Sequence, residues 1–402
     1  MKILIELYDR EPVFNYLATM FFRPEKVYFV GGKKVVSPQC RIKTEKLAKI
    51  MGFDGEFIFR AFKSPDFSDI KSGLESIIAA ERAKGNSCVI DVTGGGDLAL
   101  VAAGCLMGNG TEIVRYDINS NLFRNFSTGE SAEFNINIPC NAFITAAGGT
   151  IYGETRSTDY SEKELALIRN LIEIYFRNRD NWNRFVKYLQ RISKKEGEKV
   201  GDSLIINAPM TLSDGGKNFF CDEDILRELE SAGAIRNSRI DRKNQRIGFE
   251  YASSMLANLL VNEGVWLELC VYLAAKDTPA LFDAQTGVKF VWDVPEKNIS
   301  VQKILSDTTP RNEVDVMFAR GVMPVFVSCK TRYPINEDLN ELYAIKENFG
   351  GKISAAILAT TKSVDSDSPI AERARALGIG IVDERNFENG TVSKRLLRLT
   401  GD

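Results

Sequence analysis

The sequence predicts an α/β protein of several domains, with a doubly wound parallel sheet first and a smaller mixed sheet last. Three observations carry this. Short apolar runs alternate with helical segments over roughly the first 150 residues, the rhythm of βαβ units. The middle turns helical, charged and aromatic, as in EKELALIRNLIEIYFRNRDNWNRFVKYL. The last third reads helix, three strands, helix, strand. At 402 residues the chain exceeds one ordinary domain.

The elements follow in order. Residues 3–7 are a strand, 12–22 are apolar at helical spacing, and 26–30 are a second strand ending in Gly31-Gly32. Residues 44–51 are helical, 56–62 strand-like and 70–83 helical. A buried strand at 88–92 runs into Thr93-Gly94-Gly95-Gly96-Asp97 and a helix at 98–106, and 112–117 is a further strand. The helical stretch 161–199 leads out of the first domain. The amphipathic DEDILRELESAGAI and the basic RNSRIDRKNQRIGFEY then suggest a small winged-helix-like unit. SSMLANLLVNEGVWLELCVYLAAKD reads as one long apolar-faced helix. Strands at 288–294, 353–360 and 379–383, a hairpin in NEVDVMFARGVMPVFVSCK, and helices at 338–348 and 369–377 complete an αβββαβ order. The expected domains are 1–160, 161–251 and 252–402.

Composition removes whole classes of chemistry. With no histidine there is no Ser-His-Asp or Cys-His catalysis and no histidine general base. Any metal must sit on oxygen ligands, which favours Mg²⁺, Mn²⁺ or Ca²⁺. The seven cysteines are scattered without a CxxC pair, so neither a zinc site nor a disulfide framework is expected. A net charge of −2 offers no global attraction to nucleic acid, so any basic surface must be local. No apolar run reaches a membrane span and no signal peptide is evident, so a cytoplasmic protein is expected.

Two places carry chemistry. VIDVTGGGDLAL sets three glycines between a buried strand and a helix, where backbone N–H groups and the helix N-terminus favour an anion. It lacks the Walker lysine and the GxGxxG spacing, and Asp97 would repel a phosphate unless it caps the helix or meets a ribose or base. Tyr8-Asp9-Arg10 and Gly31-Gly32 should lie at the same carboxyl edge, where such sheets bind ligands. A tight strand-to-helix turn is the plainer reading.

The second place is the hairpin. Its Gly321 turn lets Asp315 on one strand face Lys330 at the end of the next. A carboxylate beside a lysine at a strand end suits a metal-dependent phosphodiesterase; a structural ion pair is the alternative. Glu268 stands in an otherwise apolar helix, costly unless paired or on a metal. Glu313 lies two residues before Asp315, and Glu341 follows in the next helix. The basic Arg236, Arg239, Arg242, Lys243 and Arg246 either track a phosphate backbone or form a solvated wing.

These residues resemble a known arrangement. Glu268, Asp315 and Ser328-Cys329-Lys330 resemble the PD-(D/E)XK nuclease superfamily, and the strand-TGGGD-helix loop resembles the CARF domains that sense cyclic oligoadenylates in type III CRISPR defence. Together they resemble the CRISPR ancillary nucleases activated by cyclic tetra-adenylate. The resemblance implies a Rossmann-like CARF domain, a winged-helix-like connector and a restriction-endonuclease-like domain. It also implies a homodimer sharing one cyclic ligand at Tyr8, Asp9, Arg10, Gly31, Gly32, Thr93, Gly94, Gly95, Gly96 and Asp97. The nuclease would hold Mn²⁺ or Mg²⁺ on Glu268 and Asp315, with Lys330 positioning water, and would cut single-stranded or duplex nucleic acid. Ser328 departs from the superfamily's acid, so Glu313 or Glu341 would supply the missing oxygen, or one metal would bind. A ligand-responsive transcription regulator with an inactive nuclease domain is the competing reading.

Overall fold

The structure is a computed structural model that describes residues 1–9, 11–108, 110–152, 160–200, 203–292 and 311–401. Among these, the first sheet has seven strands in the order β3-β2-β1-β4-β5-β6-β7. The parallel members are β1 (Lys2–Leu7), β2 (Lys26–Gly31), β3 (Glu56–Ala61), β4 (Ser87–Asp91) and β5 (Thr111–Asp117). The short strands β6 (Leu122–Asn125) and β7 (Ser131–Glu133) are added antiparallel at one edge. The helices α1 (Phe14–Phe22), α2 (Pro38–Met51), α3 (Phe67–Arg82) and α4 (Asp97–Gly104) connect the parallel strands. Strands buried on both faces read as continuous apolar runs, which is why β1, β2 and β4 were legible. α2 begins earlier than its apolar spacing suggests, because the Ser37 hydroxyl accepts from the Cys40 N–H and Pro38 sits in the first turn.

α5 (Cys140–Ala146) precedes β8 (Gly149–Ile151), which leaves the first sheet and pairs with the second, Phe290 opposite Ile151. A three-residue strand has too little pattern to be read in sequence. The connector holds α6 (Glu162–Arg177), capped by a Ser161–Glu164 box, and α7 (Arg179–Glu196). Next come β9 (Gly197–Val200), β10 (Ser203–Pro209) and the hairpin of β11 (Thr211–Asp214) with β12 (Lys217–Phe220). α8 (Glu223–Ser231), β13 (Ile235–Asp241) and β14 (Arg246–Tyr251) follow, with β13-β14-β10-β9 forming one sheet.

The expected long helix is two: α9 (Ser254–Leu260) and α10 (Val265–Lys276) meet at 112°. The Asn262 side chain accepts from the Gly264 N–H, giving the backbone a local alternative to the helix. The break sets Glu268 in the first turn of α10, where the helix dipole favours a carboxylate. Both helices pack inside the protein. Among the described residues no single helix is long and apolar enough to cross a membrane.

The last sheet runs β19-β18-β17-β16-β15-β8. Its strands are β15 (Phe282–Trp292), β16 (Arg311–Arg320), β17 (Met323–Lys330), β18 (Ala355–Thr360) and β19 (Ile379–Val382). β15, β16 and β17 are antiparallel, while β17, β18 and β19 are parallel. α11 (Asn336–Ile345), α12 (Pro369–Ala376), α13 (Glu384–Glu388) and α14 (Val392–Leu399) complete it. Phe318, Val325, Val327 and Ile357 share a core with the connector helices. Met317, Phe326, Ala356 and Leu358 share one with Leu4, Phe29 and Val89 of the first sheet. The last sheet is thus wedged between the first sheet's layer and the helices α6 and α7, two apolar faces on one set of strands.

Candidate functional site

At the carboxyl edge of the first sheet lies a cavity of about 480 Å³. Tyr8, Gly31, Gly32, Gly95, Gly96 and Asp97 line it, as the sequence placed them. So do Lys33, Lys63 and Ser64, which sequence reasoning missed. The signal was present: Lys33 follows the end of β2, and Lys63 and Ser64 follow β3, so the same edge rule applied to every strand would have found them. Two lysines supply the positive charge that the glycine loop lacks.

The glycine loop is packed rather than loose. Gly95 has φ +101°, and a Cβ there would meet Leu7 Cβ at 2.8 Å; one on Gly94 would meet Asp9 Cβ at 2.8 Å. Gly32 and Gly96 have nothing within 4 Å of a Cβ position and leave the cavity wall open. Asp9 does not project into the cavity as a ligand group. Its Oδ2 accepts from the Gly95 N–H at 2.8 Å and its Oδ1 from the Glu11 N–H at 2.8 Å. The Tyr8 phenol lies beside Tyr16 and Cys40, and burial pushes it well above the ordinary tyrosine range. Arg10 lies outside the described residues.

Thr93 does not line this cavity; it lines a second one, of about 570 Å³, with Arg115, Arg124 and Lys352. Its hydroxyl donates to Asp91 Oδ1 at 2.6 Å and accepts from the Tyr116 N–H at 2.8 Å, tying β4 to β5. Beneath it, Glu6 and Asp91 stand opposite each other on β1 and β4, both buried. Burial, then Asp91, pushes the Glu6 carboxyl well above its usual range, and burial pushes Asp91 up to about 6. Among the described residues Asp91 Oδ2 has no hydrogen-bond donor, which suits a proton held between the two carboxyls.

The loop also reaches the second sheet. From Gly95 through Asp9 and Glu11, hydrogen bonds continue to the Lys352 N–H, which Glu11 Oε2 accepts at 2.9 Å. Lys352 lies in the turn that follows α11 and its π-helical end, before β18.

In the second sheet the β16–β17 ladder runs from Arg320↔Met323 to Val316↔Val327. Beyond it, Asp315 Oδ2 accepts from the Cys329 N–H at 2.6 Å and from the Ser328 hydroxyl at 3.3 Å. A side chain thus replaces the ladder bond, and the other Asp315 oxygen carries no hydrogen bond among the described residues. Glu268 is buried in α10. The helix α10 packs against β16 and β17, and burial, then the charges of Asp315 and Glu268, pushes the Cys329 thiol well above its usual range.

Lys330 Nζ lies 3.9 Å from Asp338 Oδ1. Sequence reasoning missed Asp338, which is buried in the first turn of α11 and accepts two bonds from Arg332, at 2.8 and 2.9 Å. Glu313 is exposed across the ladder from Lys289, 3.9 Å away, and Glu341 is exposed on α11. Neither is brought to Asp315 by any contact. Among the described residues no group of three or more acidic or sulfur side chains could hold a metal. Of the basic stretch, Arg236 pairs with Glu250 across its hairpin, Arg242 with Glu223 on α8, and Arg246 bonds Asn207 on β10, so three of the five cations are engaged within the fold.

No protein-family model and no curated protein matches the chain. Solved structures do. Protein VC1899 from Vibrio cholerae matches with a TM-score of 0.76 at 16% identity, covering 100% of this chain and 99% of that one. Can2 from Sulfobacillus thermosulfidooxidans, solved in complex with cyclic tetra-adenylate, matches with 0.67 at 14% identity over 100% of both. A type III CRISPR defence DNA nuclease activated by cyclic oligoadenylate matches with 0.54 at 14% identity, over 92% of this chain and 46% of that one. At these identities the likeness is one of fold. The mixed α/β architecture read from the sequence is the architecture these proteins share.

Proposed function

We propose that the chain is a type III CRISPR ancillary nuclease, switched on when cyclic tetra-adenylate binds the first domain and cutting nucleic acid at the end of β17. The observation that carries this is the convergence of Glu268, Asp315 and Lys330 where β16 and β17 part, in a chain with the whole fold of a cyclic tetra-adenylate-bound protein.

Glu268 and Asp315 would hold the metal. Two carboxylates, with no third among the described residues, fit one Mg²⁺ or Mn²⁺ that completes its shell with water and substrate phosphate. Bound there, the ion supplies Lewis acidity and a more acidic water. The protein's own groups do the rest. The Cys329 N–H fixes one oxygen of Asp315, leaving the other for the ion. Ser328 braces the same carboxylate and is no ligand. Lys330 offers a positive charge to the scissile phosphate, and Asp338, itself pinned by Arg332, sets where that charge sits. Glu313 and Glu341 take no part.

The sensor half of the reading rests on the cavity with its two lysines and its open glycine wall. Beside it, α4 and the residues after it expose Leu98, Val101 and Met107, each at least half accessible. A second copy of the chain would cover that apolar strip and bring two cavities to one ring.

The test incubates the protein with supercoiled plasmid, single-stranded DNA and RNA in Mn²⁺, with and without cyclic tetra-adenylate. Cleavage only in the presence of the ring supports the proposal and names the substrate. Tight ring binding with no cleavage in any lane supports the regulator instead, and points to Ser328 as the lost acid.

A further inference from the structure

The outer edge of the second sheet carries a feature that neither site uses. A cavity of about 460 Å³ lies over β19, between α12 and the helices α13 and α14. Four arginines line it, Arg375, Arg385, Arg395 and Arg398, against a single carboxylate, Asp383. Arg385 already neutralises Asp383. The nearby Glu384 is held by Arg179. The remaining positive charge is not dispersed: burial and the charge of Arg398 hold the Arg395 guanidinium below its usual range. Arg398 has no hydrogen bond or ion pair among the described residues, and Arg375 bonds only the Ser366 carbonyl. For a chain of net charge −2 this is a deliberate concentration of cations.

The cluster exceeds what protection of an edge strand requires. One or two charges suffice to deter edge-to-edge pairing, and Arg395 already covers the Ile381 carbonyl with its Nε–H. Four arginines facing an open cleft instead describe a receptor for a polyanion, since guanidinium groups match phosphate oxygens in fork geometry.

Topology says which polyanion. β17, β18 and β19 are parallel, with Lys330 opposite Thr360 and Ala359 opposite Val382. Asp383 and Arg385 therefore emerge at the same sheet edge as Lys330, two strands away, or about 10 Å. From there Arg395 and Arg398 continue along α14 towards the hairpin edge, where Arg320 bonds the Leu397 carbonyl. We propose that this arginine-lined cleft is a track for the phosphodiester backbone of the nucleic acid strand being cut, leading into the site at Lys330. The inference rests on the nuclease reading above and adds a substrate-binding surface outside the metal site.

The experiment measures binding of fluorescent single-stranded DNA and, separately, RNA oligonucleotides to the full chain by anisotropy across a salt series. An Asp315→Asn background prevents cleavage. Arg398→Ala with Arg375→Ala should weaken binding and lower the slope of log K against log salt by about 0.7 for each phosphate that is no longer neutralised. In the active protein the pair should raise KM. Arg373→Ala, on the same helix but bonded to Asn340 and outside the cleft, should leave the slope as it is. Unchanged cyclic tetra-adenylate affinity checks that the variants fold. A slope identical to the parent's overturns the track even where the parent cleaves, and a parent that neither binds nor cleaves nucleic acid overturns the nuclease reading with it. The DNA and RNA arms show which backbone the cleft accepts.

Discussion

Each end of the molecule contains a pair of carboxylates, and the two pairs have opposite surroundings. Glu6 and Asp91 face each other across neighbouring strands, both about 1% exposed, with Thr19 and Thr93 as partners and no ion pair to a cation among the described residues. Two like charges in that place cannot both ionise, so the pair keeps a proton and serves as a hydrogen-bonded strut under the glycine loop. Asp315 instead sits where two strands part, with one oxygen already committed to the backbone, and Glu268 lies in the first turn of α10. Carboxylates in pairs do not by themselves make a metal site.

The largest test of this contrast is Asp315→Asn against Glu6→Gln. Losing a proposed ligand should cost at least about 100-fold in single-turnover cleavage, no less than the loss of an outer-shell partner. Glu6→Gln should leave cleavage within a few-fold. Equal losses in both would erase the distinction. Lys330→Met should follow, with a fall of about 100-fold at unchanged ring affinity, measured under saturating Mn²⁺.

Next in size is the link between the two halves. Glu11→Ala removes the acceptor of the Lys352 N–H and should shrink the ratio of ring-stimulated to basal cleavage by about 10-fold, within the usual span of coupling energies. Calorimetry should find the ring bound as before. A wild-type ratio would remove Glu11 from the coupling.

The smallest effect belongs to the proton. Both carboxyls of the Glu6–Asp91 pair are raised, so the folded state binds protons more tightly than the unfolded chain. Their contribution is most favourable below about pH 4 and is lost as pH climbs through about 6 for Asp91, and higher for Glu6. In Glu6→Gln the amide N–H supplies the donor that Asp91 Oδ2 requires at every pH. Thermal unfolding between pH 4 and 8 should then fall less steeply with pH, leaving the variant about 1 kcal/mol more stable than wild type at pH 8. Parallel profiles would show that the pair holds no shared proton.

Much of this was legible in the chain. Buried parallel strands announced themselves as unbroken apolar runs, and TGGGD marked the turn from β4 to α4 because glycines there avoid contacts of 2.8 Å. Glu268, Asp315 and Lys330 stood out because a carboxylate in an apolar helix and a lysine ending an apolar strand both need a reason. Other features resisted reading. Asp338 looked like any first-turn acid on a helix, and Thr93 like part of the loop it only braces. Gly149–Ile151 was too short to show a period, and the Asn262 bond that breaks the long helix is a matter of side-chain direction.

Local pattern, then, determined which segments are strands and helices and which residue types were out of place among them, because periodicity and burial cost act within a few residues. Tertiary structure decided which of those residues meet. It set Asp9 against its own loop, Glu313 against Lys289, Asp338 against Lys330 and four arginines along β19. Those pairings depend on strand order and on helices packing between sheets, and distances across a sheet are not written in spacing along the chain.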